Sequence, residues 1–70
     1  MNKLGKFVKG RRKDLTLTQV KMAEGIGITN ITLLKIEKGE HIGSNTIRLL
    51  SAYFNLSTRD VRNLMLYEES

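Results

Sequence analysis

Residues 19–39 read QVKMAEGIGITNITLLKIEKG, and almost every special position in this stretch has a geometric reason. Two short helices that cross at about 90 to 120° through a turn of three or four residues need a small side chain where they approach, and Ala23 supplies it. The turn needs a residue at ease with positive φ, which is Gly27. Bulky apolar residues must then pin the second helix onto the first from both sides of the turn. Met22, Ile26, Ile28, Leu33 and Ile36 stand at those places. The spacing predicts one helix capped by Thr18, with Val20, Met22, Ala23 and Ile26 on its apolar face. A second follows over 30–38, capped by Thr29 and stopped by Gly39.

Outward from this pair the punctuation continues. Leu4, Phe7, Val8, Arg12 and Leu15 suggest a first helix over about 3–14, which Gly10 weakens by roughly 0.5 to 1 kcal/mol relative to alanine. After the loop Glu40–Gly43, Ser44 or Asn45 can cap a fourth helix whose Ile47, Leu50, Ser51 and Phe54 share a face, and Asn55 suits a left-handed stop. Ser57 and Asp60 have the spacing of a capping box, opening a fifth helix with Val61, Leu64 and Met65 turned inward. The expected architecture is all-α, a compact bundle of five short helices in one domain over 1–70. The helix-turn-helix proper covers about 18–38, and a flexible tail covers about 68–70. Seventy residues bury only about 60% of the surface of the unfolded chain, so a small core with no second or effector domain is expected.

Composition narrows the function. Twelve Lys and Arg against seven Asp and Glu leave a net charge of +5, which favours a polyanionic partner: nucleic acid first, an anionic membrane surface second. Lys3, Lys6, Lys9, Arg11, Arg12 and Lys13 all precede the first acid, Asp14, as expected either of a solvated helix face or of a helix beside a phosphate backbone. No apolar run approaches the roughly 18 residues of a membrane span, so a soluble, cytoplasmic protein is expected. With no cysteine and one histidine, His41, the sequence offers no metal set and no catalytic triad, and its glycines form no nucleotide cradle. Neither an enzyme nor a cofactor is expected.

Leu17-Thr18-Gln19, Ala23, Gly27, Leu33, Ile36, Glu37 and Gly39, followed in register by Ile47, Leu50 and Phe54, resemble the helix-turn-helix of the phage repressor and Cro family, also called the xenobiotic-response-element type. The likeness covers about residues 4–66. It implies a lambda-repressor-like, sequence-specific regulator of transcription, read as a repressor, with helix 30–38 in the major groove of duplex DNA and helix two across the backbone. Asn30, Ile31, Thr32 and Lys35 match positions that touch base edges. Their chemistry suits adenine for Asn30, guanine for Lys35 and thymine methyls for Ile31 and Thr32. Gln19, Thr29, Lys38 and Arg12 match positions near phosphate. The resemblance also implies a structural ion pair between Arg12 and Glu37, whose loss would cost on the order of 3 kcal/mol by stranding a charge.

Some positions depart from the pattern. Thr16 stands where the family has Gly or Asn, and a β-branched residue resists left-handed geometry, so a differently built exit from the first helix is expected. The loop Glu40–Gly43 lacks cations, which shifts expected backbone contacts toward the first helix. Ile31 and Leu34 make helix 30–38 unusually apolar on faces the family leaves polar. Leu34, with Leu64, Met65, Leu66 and Tyr67, leaves open an alternative: an antitoxin or antirepressor-like module that holds another protein on the same fold. Leu66 and Tyr67 are also the candidate contacts of a homodimer on two-fold related DNA.

Overall fold

The computed structural model describes residues 2–66, and all its elements are helices: α1 (Lys3–Asp14), α2 (Gln19–Ile26), α3 (Asn30–Lys38), α4 (Ser44–Phe54) and α5 (Thr58–Leu66). Tyr67 and the tail 68–70 lie outside the described residues. α1 packs on α3 and α5, α2 on α3 and α4, and α4 on α5, so α3 is wedged between the first two helices. Met22, Leu33, Ile36, Leu50, Val8 and Val61 are fully buried where these helices meet. Phe7 of α1 meets Phe54 of α4 edge to face, with ring centroids 5.2 Å apart.

Local chemistry draws the boundaries. The Thr18 hydroxyl accepts the Lys21 amide at 3.2 Å and the Thr29 hydroxyl accepts that of Thr32 at 3.1 Å, each satisfying a donor that a helix start leaves orphaned. Ser57 and Asp60 close a reciprocal box at 3.0 and 3.3 Å. At the other ends, Gly27, Gly39 and Asn55 take positive φ. There the amide one residue further on bonds back five residues: Ile28 to Ala23, Glu40 to Lys35 and Leu56 to Ser51.

Four local expectations are corrected. Thr16 takes φ 56° after all, and Leu17 donates to the Arg12 carbonyl at 3.0 Å, so α1 ends in the same left-handed motif as the other three helices. Packing of Leu17 against the core holds a conformation that a β-branched residue disfavours. Leu15 is 48% exposed and Val20 50%, outside the apolar faces assigned to them. Met22, Ala23 and Ile26 alone fill the inward stripe of α2, and Val20 lies about 200° around the helix from Met22. Neither Ser44 nor Asn45 caps α4, because Gly43 occupies the cap position and no side chain bonds there.

Candidate nucleic-acid interface

The seat of α3 is built from its inner face. Leu33, Ile36 and Glu37 are buried on one side of a nine-residue helix, and Asn30, Ile31, Leu34, Lys35 and Lys38 are exposed on the rest. Glu37 is 4% exposed, and a carboxylate so placed must be paired. Arg12 supplies a two-pronged partner: its Nε donates to Glu37 Oε2 at 2.8 Å and its Nη2 to Oε1 at 3.1 Å. A third bond, from Nη1 to the Leu17 carbonyl at 3.3 Å, ties the same guanidinium to the exit of α1. The hydrogen bond to Glu37 holds the Arg12 guanidinium above its ordinary pKa, with partial burial pulling the other way. The structure thus brings together the two residues the resemblance paired.

Gln19 joins them. Its Nε2 donates to Glu37 Oε1 at 3.4 Å, so one carboxylate links α1, α2 and α3. The resemblance places that amide toward phosphate and gives no sign of this link. One N–H of the amide remains for another acceptor.

Two further residues fix α3 and escaped sequence reasoning. Asn2 is 5% exposed; its Oδ1 accepts the Gly5 amide at 2.9 Å, capping α1, while its Nδ2 donates to the Gly39 carbonyl at 3.3 Å. Asn immediately before an apolar-periodic run is a capping signal, but its reach across 37 residues to the end of α3 has no local signature. Gly5 lets the first turn of α1 press on the last turn of α3: a Cβ there would stand 2.7 Å from the Ile36 carbonyl oxygen and 2.8 Å from that of Glu37. No buried side-chain polar atom among the described residues lacks a partner.

The remaining site residues lie at the first turn and the rim. Thr29 and Thr32 are tied to each other, since the Thr29 hydroxyl also donates to Thr32 Oγ1 at 2.9 Å. Lys35 and Lys38 are exposed at the last turn, where cations also complement the helix dipole. Among the described residues no cluster of acids and histidine could hold a metal, and no helix is long and apolar enough to cross a membrane.

A helix-turn-helix family model of the Cro/C1 type matches residues 8–61, and the chain belongs to that family. It is a DNA-binding transcriptional regulator, of a family whose domain binds DNA and is not enzymatic. No curated protein and no solved structure gives a significant match.

Proposed function

We propose that the protein is a sequence-specific repressor, with residues 1–70 acting as one helix-turn-helix domain in the cytoplasm and α3 lying in the major groove of duplex DNA. The observation that carries this is the division of α3 into a sealed face and an open one, with Asn30, Ile31 and Lys35 exposed and Thr32 half-buried beside them. These four are the proposed base contacts. Asn30 has the donor and acceptor for adenine, Lys35 the donor for guanine, and Ile31 an apolar tip.

Gln19 and Lys38 flank α3 and are the principal phosphate contacts. Arg12 already gives three N–H bonds to Glu37 and Leu17, which makes it chiefly scaffold, with its remaining N–H groups for phosphate. Thr29 reaches phosphate only by releasing its hydroxyl from Thr32. Repression follows from occupancy of a promoter.

A selection of bound sequences from random DNA tests this. Lys35→Ala should relax preference at one position by about 1 to 3 kcal/mol, whereas Gln19→Ala should weaken cognate and random duplexes alike. Equal effects of both on both kinds of DNA would refute the assignment, and binding that ignores sequence at every salt concentration would refute the reading itself.

A second surface favours pairing with another protein chain. His41, Ile42, Ile47, Arg62, Met65 and Leu66 line a largely apolar groove of about 460 Å³, and Leu66 is 76% exposed. We assign it to a homodimer on half-sites about 34 Å apart, with an antitoxin-like grip on another protein as the alternative. Sedimentation of the chain with and without DNA distinguishes them: a monomer in both states excludes the dimer.

A further inference from the structure

The groove between the start of α4 and the end of α5 has an apolar floor and a basic edge. Ile42 and Ile47 are buried beneath it, Met65 lines it, and the exposed Arg62 and Leu66 flank it. On the wheel of α5, at about 100° per residue, Arg59 and Leu66 fall about 60° and 40° from Arg62 on the same side, whereas Asp60 falls about 160° away. Asp60 is there engaged with the Ser57 amide. No acid among the described residues lines the groove, and Arg62 forms no ion pair with a described residue.

What covers this face must answer both its shape and its charge. Leu66, 76% exposed beside a depression of its own chain, is a knob next to a hole, and a two-fold axis makes such a pair self-complementary. Apolar contact by itself leaves the charge unanswered. It would bring Arg59 and Arg62 of one copy against those of another, between chains that each carry a net +5, and like charges so juxtaposed oppose association. The sequence supplies the missing acids immediately after the knob. Glu68 and Glu69, two of the seven acids of the chain, follow Tyr67 and lie outside the described residues. At no more than about 3.5 Å per residue they stand within roughly 7 to 11 Å of Leu66. Arg62 lines the groove that Leu66 of another copy would enter, so the acids of that copy come within reach of it.

We propose that Glu68 and Glu69 of one copy pair with Arg62 of a second copy, once on each side of the two-fold axis. The occupant of the groove is thus the end of α5 and the acidic segment of another copy of this chain. This rests on the homodimer reading and adds the charges by which one copy recognises another.

Sedimentation equilibrium of the full chain over a range of concentrations reads the dimer Kd, and circular dichroism melts check that each variant folds. Arg62→Glu alone, and Glu68→Lys with Glu69→Lys together, should each weaken the dimer about tenfold. An exposed pair is worth up to a factor of about five, and the axis repeats it. Mixing the two variants should restore association to the parent level, because only the mixed dimer has opposite charges at both contacts. Weakening without any recovery on mixing would mean that the segment pairs with Arg62 of its own chain, and overturns the proposal. An unchanged Kd in both variants also overturns it while leaving the dimer, which Leu66→Asp should still abolish. A parent that stays monomeric at every concentration overturns it as well. If that parent is monomeric on duplex DNA too, the homodimer falls with it and the groove is left to another protein.

Discussion

Gly5 and Gly10 lie in the same helix, and replacing each by alanine should move stability in opposite directions. Alanine gains roughly 0.5 to 1 kcal/mol over glycine in a helix interior, a gain that applies in full at Gly10 and sets the upper bound at Gly5 in the first turn. At Gly10 a Cβ would meet nothing within 4 Å, so Gly10→Ala keeps the whole gain. At Gly5 the same atom would stand 2.7 Å from one α3 carbonyl oxygen and 2.8 Å from the next. Ordinary contact then requires α1 and α3 to part by roughly 0.7 Å, and neither obstacle is a flexible side chain. Overpacking of this kind costs about 1 to 3 kcal/mol, so Gly5→Ala should be destabilised by about 0.5 to 2 kcal/mol net. The two variants should differ by about 1 to 3 kcal/mol. In thermal melts that separates their midpoints by roughly 5 to 20 °C for a domain of this size. Denaturation in urea with unchanged m would confirm a common unfolding reaction. Equal midpoints, or a Gly5→Ala protein more stable than the parent, would refute the close approach of α1 to the end of α3.

Other substitutions probe the same seat. Thr16→Gly, which removes the left-handed strain of a β-branched residue, should stabilise by about 1 kcal/mol in the same melts. Arg12→Ala leaves Glu37 buried without its cation and should cost about 3 kcal/mol or more in urea titrations, whereas Arg12→Lys, which loses the fork but keeps the charge, should cost less. The raised pKa of Arg12 stabilises the fold at every pH below its unfolded value, and that contribution fades only as pH climbs through the folded value. The gap between the parent and Arg12→Lys should therefore stay flat from roughly pH 6 to 9, and a gap that closes within that window would point to another group. Asn2→Ala should cost about 1 to 2 kcal/mol, since it removes a cap and a bond to α3, and hydrogen exchange should quicken at both helix ends.

What the sequence made legible was chemistry that acts over a few residues. Thr18, Thr29, Gly27, Gly39, Asn55 and the Ser57–Asp60 box mark helix ends because each side chain, or its absence, serves a backbone group close by in the chain. Phase at helix ends was less legible. Leu15 and Val20 are apolar but turned outward, since apolarity alone does not fix the angle of a residue near a boundary. Thr16 adopts a conformation its side chain opposes because Leu17 beyond it packs on the core, a tertiary demand overriding local preference. At the site, Arg12 and Glu37 were paired through the resemblance, not through spacing. The bonds from Gln19 to Glu37 and from Asn2 to Gly39 link residues far apart in the chain, and no short-range pattern announces them.

If α3 is the groove helix, as proposed, its length limits how much information one chain can extract. Nine residues at about 1.5 Å each give a rod of roughly 13.5 Å, which spans about four base steps of 3.4 Å. Four fully specified base pairs recur by chance about once in 256 positions, so among roughly a million competing sites a lone copy would meet thousands of equally good addresses. Two copies reading eight pairs would reduce these to about fifteen. On the proposed reading, then, a head this short would favour a second one on grounds of arithmetic before affinity.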